Sequence, residues 1–135
     1  MAEKKKELHL LRHAEIFDDA MVIVSAHAPK KFRNNIVHDL QVTSNNIVKS
    51  IFWANEYRQT DIQECLKYTK EAENNIRWMT RRLERARRME CITPVEELDL
   101  GDKLATVEEY FAGWSDSNKK LSEELRKEEL RKKNL

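Results

Sequence analysis

Glycine and proline are nearly missing from this chain, two of each in 135 residues. A chain so poor in turn-making residues does not supply the many tight connections of a sandwich or barrel, so an all-helical fold is expected. Cysteine is as scarce: Cys65 and Cys91 lie too far apart to form a metal-binding pair and read as reduced thiols. No apolar run approaches the roughly 20 residues of a membrane span. The N-terminal stretch "AEKKKELH" lacks the apolar core of a signal peptide. A soluble, cytoplasmic protein without membrane contact is expected. There is also no glycine-rich phosphate loop, no serine elbow and no pair of carboxylates at a recognisable spacing, which argues against an enzyme and against a cofactor. His9 and His13 stand at i and i+4, a spacing that suits one metal ion, but no third ligand follows, and they read as surface histidines with no metal. Net charge is missing too: Lys plus Arg total 25 against 24 for Asp plus Glu.

What the chain does have is regular apolar spacing, which separates it from the disordered sequences that its 36% of charged residues would also suit. Leu10, Phe17, Met21 and Val24 recur on one face of a first helix expected over about residues 3–26, closed by Pro29. Phe32, Ile36, Leu40, Ile47, Ile51 and Ala54 mark a second over about 30–57. Thr60 followed by Gln63 reads as a capping box opening a third. The third helix is expected to bury Ile62, Leu66, Thr69, Ala72, Ile76, Met79, Leu83 and Ala86, at close to 3.5-residue spacing, and to fade near Met89. "TPVEE" is the clearest boundary: Thr93 as N-cap, Pro94 in the first turn where its missing donor is harmless, and Glu96 completing the box. The fourth helix carries Leu100, Leu104, Val107, Phe111 and Trp114, with Gly101 weakening it and Gly113 suiting its end. Short connections between long helices lead to an antiparallel up-down-up-down four-helix bundle over residues 1–115. Residues 116–135, whose apolar residues are all leucines amid alternating charges, form a charged helical or disordered tail.

The near-neutral balance hides one concentration of charge, six arginines among residues 77–88. At about 100° per residue, Arg77, Arg81, Arg85 and Arg88 share an arc of roughly 80°, flanked by Arg82 and Arg87. Two readings stay open. The stripe is a solvated face paired with acids such as Glu96, Glu97, Asp99 and Asp102, in this chain or another copy. Alternatively it is a phosphate-binding surface that gains affinity by releasing nucleic-acid counterions. Trp78 and Trp53 lie off the apolar stripes of their helices, which points to a second buried surface and a homo-oligomer.

The segments "SAHAPKKFRNNI", "FWANE", "LKYTKEAENNIRWMTRRL" and "ITPVEELDLGDKLATVEEYFAGW", in this order within residues 15–114, resemble the accessory variability determinant proteins of diversity-generating retroelements. These belong to a wider four-helix-bundle family that includes proteins encoded in ribosomal RNA intervening sequences. The resemblance implies a ring-shaped homo-oligomer, typically a pentamer, that binds the retroelement's reverse transcriptase and template RNA or cDNA during mutagenic cDNA synthesis, without catalysis of its own. It implies that Arg77, Arg81, Arg82, Arg85 and Arg88, with Lys30, Lys31 and Arg33, contact RNA or the enzyme. The alternative is a structural oligomer of the intervening-sequence type that binds only protein partners.

Overall fold

The computed structural model describes residues 8–134, and the expected start of the first helix at residues 3–7 lies outside them. The described chain is all-helical: α1 spans His9–His27, α2 His38–Tyr57, α3 Ile62–Arg88 and α4 Pro94–Lys133. α1 packs on α2 and α4, and α3 packs on the same two helices. Pairings between particular side chains fix the alignment: Asp18 accepts from Ser44 (2.7 Å), Asp39 meets Arg82 (3.8 Å), Tyr57 stacks on Tyr68 (5.9 Å), Asn118 donates to Thr69 (3.2 Å), and Arg87 donates to Glu97 (3.0 Å). No helix among the described residues is long and apolar enough to cross a membrane.

Proline ends α1 as expected, by holding Ala28 in extended conformation (φ −67°, ψ 148°). The path from there into α2 is less regular than one continuous α-helix. Lys30–Phe32 forms a 3-10 turn and Arg33–Val37 a π-helical turn before α2 proper begins. A π turn adds one residue per turn. That extra residue lets Ile36 and its neighbour Val37 both reach the core alongside Phe32 and Leu40.

α3 opens one residue later than the sequence suggests. The Tyr57 carbonyl accepts from both Thr60 N–H (3.1 Å) and Asp61 N–H (2.8 Å), so Thr60 still belongs to the closing turn of α2. Asp61 is the N-cap, and its carboxylate accepts from Glu64 N–H (3.2 Å). From there Cys65, Thr69, Ala72, Ile76, Met79, Leu83 and Ala86 are buried, in alternating steps of four and three. Cys65 therefore takes the core position expected of Leu66, and Leu66 and Ile62 are only half-buried.

The α3 end is a six-residue Schellman closure: Cys91 N–H reaches back to the Ala86 carbonyl (2.8 Å) and Glu90 N–H to that of Arg87 (3.0 Å). Its geometry needs a left-handed residue, and Glu90 supplies it at φ 61° where glycine is the usual occupant. The Thr93 capping box then starts α4 with both reciprocal bonds, Thr93 N–H to Glu96 Oε1 (2.8 Å) and Glu96 N–H to Thr93 Oγ1 (3.1 Å).

α4 does not stop at Gly113. It runs through both glycines for 40 residues, about 60 Å at helical rise. The expected domain limit at residue 115 thus falls inside a continuous helix, whose last buried residues are Ser115 and Asn118. A directed relay holds that turn. Arg58 donates to Asn118 Oδ1 (2.9 Å) and to Ser117 Oγ (3.0 Å). Asn118 Nδ2 donates to Thr69 Oγ1 (3.2 Å), whose hydroxyl donates to the Cys65 carbonyl (2.8 Å). Asn118 is fully buried, so each of its bonds in the relay is one that water cannot replace. Residues 123–134 are exposed.

Thermal unfolding tests both the α3 closure and the relay. Glu90→Gly should relieve the left-handed strain and stabilise the protein by about 1 kcal/mol, raising Tm by about 3 °C. Deleting residues 123–135 should leave Tm almost unchanged, whereas deleting 116–135 removes Asn118 and should cost about 1–3 kcal/mol. Equal Tm values for the two truncations would mean that the relay contributes nothing.

Candidate nucleic-acid interface

Burial of one α3 face decides where its arginines go. With Ile76, Met79, Leu83 and Ala86 turned inward, Arg77, Arg81 and Arg88 are exposed and Arg85 half-exposed. The six arginines then separate by their partners. Arg77 meets Glu73 one turn earlier (3.0 Å), and Lys70 shares that carboxylate (3.7 Å). Arg82 lies 4.1 Å from the centre of the Trp78 ring and also meets Asp39. Arg87 is held by Glu97 at the start of α4. Among the described residues Arg81, Arg85 and Arg88 have no carboxylate partner, and they lie on the same side of the helix.

The acids of the early α4 turns are mostly spoken for: Glu96 caps its own helix, Glu97 holds Arg87, and Asp99 holds Lys103 (2.6 Å). Pairing among the described residues accounts for Arg87 and leaves Arg81, Arg85 and Arg88. Three cations a turn apart repel one another unless something outside the chain neutralises them.

Lys30, Lys31 and Arg33 sit on the 3-10 and π turns, all exposed, with Lys31 5.0 Å from the Phe32 ring centre. Because Asp39 meets Arg82 while Tyr57 meets Tyr68, the start of α2 lies at the Arg88 end of α3. The two basic groups therefore share one end of the fold.

Trp78 is 47% and Trp53 42% exposed. Trp78 has one face under Arg82. Trp53 makes an edge contact with Phe52 (5.2 Å) and a tilted one with Tyr57 (6.1 Å), which continues through the Tyr57–Tyr68 stack onto α3. An aromatic band thus bridges α2 and α3, on the opposite flank of α3 from α4.

Where α3 meets α4 the seam opens into a groove of about 520 Å³. Ile76 and Phe111 floor it, Ala112 and Ser115 give it width, and Arg77, Arg81, Glu108, Asp116 and Lys119 stand around the rim. Sequence reasoning missed Glu108, Asp116 and Lys119. Periodicity carried no signal for them, because Glu108, Ala112, Asp116 and Lys119 are all exposed positions off the buried row of α4.

His9 and His13 both stack on Tyr110, at 6.2 and 4.9 Å, so these rings pack on α4 rather than simply facing water. No three His, Cys, Asp or Glu side chains converge on a metal-sized site among the described residues. Cys91 follows the arginines in sequence, yet burial raises its pKa and Glu96 raises it further. Burial likewise raises that of Cys65, against smaller opposing effects of the Thr69 hydrogen bond and Arg58. Neither thiol is activated.

No family model matches this chain, and no curated protein sequence does.

The thiols provide a check on the closed state of the fold. At about pH 8, iodoacetamide should leave both buried cysteines of the native protein unmodified over hours, and should label both once urea unfolds the chain. Rapid labelling of native Cys91 would show that the α3 end opens, or that arginine charge outweighs burial there.

Proposed function

We propose that this chain is a non-catalytic accessory protein of a diversity-generating retroelement, which binds the reverse transcriptase and its template RNA or cDNA to support mutagenic cDNA synthesis. On this reading the four helices form an antiparallel up-down-up-down bundle with a charged C-terminal extension. Copies assemble in the cytoplasm into a ring, for which the resemblance of the sequence implies five subunits. The observation that carries the reading is the group Arg81, Arg85 and Arg88, at one-turn intervals and without an acid partner among the described residues, on a helix whose other arginines each have one. Guanidinium groups so placed suit successive backbone phosphates. Lys30, Lys31 and Arg33, at the same end, extend the surface.

A second reading is favoured by the aromatic band: Phe52, Trp53 and Trp78 are each at least two-fifths exposed, which suits a protein interface. On that reading the chain is a structural oligomer of the intervening-sequence type with protein partners alone. The two readings share self-association through Trp53 and Trp78, by a repeated interaction that closes into a ring or grows into filaments.

RNA binding at several salt concentrations separates them. Replacing Arg81, Arg85 and Arg88 by Gln should leave helicity and assembly intact, because no ion pair among the described residues depends on these side chains. The same change should weaken binding and flatten the slope of log affinity against log salt by about 0.7 to 0.9 for each phosphate no longer neutralised. Unchanged affinity and slope, or dissociation of the oligomer in the triple variant, would assign the stripe to a subunit interface instead.

A further inference from the structure

We propose that the groove between α3 and α4 receives an unpaired, amino-bearing base of single-stranded RNA, while Arg81 and Lys119 hold the flanking phosphates. The proposal rests on the RNA-binding reading above and names which form of RNA is bound and how it is discriminated. The groove has the size of a small-molecule site, at about 520 Å³, with an apolar floor in Ile76 and Phe111 on which a planar ring can lie.

Its rim has an unusual charge pattern. Glu73 is already matched by Arg77 and Lys70. That leaves Arg81 and Lys119 as cations, and Glu108 and Asp116 as anions, all lining one groove and none in an ion pair with another described residue. A pure anion such as an inorganic phosphate is repelled by the two carboxylates, and a simple cation by the two bases. A nucleotide satisfies both sets, since its phosphates meet the cations and its exocyclic amino group donates to a carboxylate. The base must be unstacked to enter, which excludes a duplex. Uracil suits the site least: it has no amino group, and carbonyl oxygens stand on both sides of its one ring N–H, facing the carboxylates. Adenine, cytosine and guanine each present an amino group.

The test uses fluorescently labelled decamers of oligo(A), oligo(C) and oligo(U) and a short RNA duplex, with the full chain and its variants. Wild type should bind oligo(A) and oligo(C) about tenfold tighter than oligo(U), and tighter than the duplex. Ala112→Trp fills the groove from an exposed α4 position and should bring oligo(A) and oligo(C) down to the oligo(U) level. If that variant fails to fold by circular dichroism, Thr80→Phe fills the groove from the facing helix, also from an exposed position. Glu108→Gln should narrow the preference for amino-bearing bases while leaving oligo(U) affinity unchanged or higher, an effect that mere disruption of packing would not produce. Equal binding of all three oligomers, unaffected by a filled groove but weakened by the arginine triple variant, would overturn this inference and leave the RNA-binding reading standing. Binding to none of the RNAs would overturn both. Unchanged RNA binding with loss of reverse transcriptase association in the filled variant would make the groove a protein-docking site and overturn the base assignment.

Discussion

The alternating four- and three-residue steps that bury Cys65, Thr69, Ala72, Ile76, Met79, Leu83 and Ala86 are the constraint on which the rest of this structure depends. A helix that buries one row of side chains has no freedom left in how it presents the others. Six arginines cannot enter an apolar interior, so the buried row fixes which of them face α2, which face α4 and which face water. Arg82 falls beside Asp39 and Trp78 on the α2 flank, Arg87 falls beside Glu97 on the α4 flank, and Arg81, Arg85 and Arg88 fall between. The distribution of partners is thus a consequence of packing rather than a separate arrangement of charges.

The same row reaches the polar relay. Thr69 is a buried hydroxyl in an otherwise apolar series, and it is tolerated because it donates to the Cys65 carbonyl and accepts from Asn118. Asn118 in turn requires Arg58, and the three elements involved are the end of α2, the start of α3 and the far part of α4. Removing Asn118 takes a partner from both Arg58 and Thr69, which keep only Ser117 and the Cys65 carbonyl, and this makes the relay more consequential than its few bonds imply. It also explains why α4 stays helical past Gly113. No side-chain or backbone atom outside the local helix lies within 4 Å of where a Cβ would stand at either glycine, so both are ordinary helical positions with a propensity cost and no special role in turning the chain.

The parts legible in the sequence are those whose physics is local. Thr93, Pro94 and Glu96 satisfy one another within a single turn, and the start of α4 stands where they place it. Leu10, Phe17, Met21 and Val24 are buried because their spacing alone puts them on one face. The misplacements have non-local causes. Thr60 and Asp61 are both good caps, and the choice fell to Asp61 because the Tyr57 carbonyl holds Thr60 in the previous turn. Leu66 attracts attention as the larger apolar side chain, but four residues before Thr69 stands Cys65, and spacing outweighs side-chain size. Gly113 looks like a terminus until Asn118 is seen between partners 60 and 49 residues away in sequence. The groove was least legible of all, since its floor and rim come from two helices and neither shows it alone.

α3 is therefore a helix with two working flanks, and their separation bears on any account of what the protein does. The aromatic band from Phe52 to Tyr68, with Trp78 beyond it, lies toward α2, while the groove and Arg81 lie toward α4. On the proposed reading, a copy that covers Trp53 and Trp78 approaches from the α2 flank and leaves the α4 flank open. The groove then stays clear of the assembly surface, whereas Arg85, seven residues after Trp78 on the same row of α3, stands at its border. Arg82 sits on the boundary: it shields the Trp78 ring and meets Asp39, so it belongs with the packing of the α2 flank more than with the phosphate surface assigned to it from sequence. Charge neutralisation by Asp39 weakens its attraction for an outside anion, whereas Arg85, one turn along and without an acid among the described residues, keeps its full charge. On that reading the effective RNA surface is narrower than the arginine count of α3, and runs through Arg81, Arg85 and Arg88.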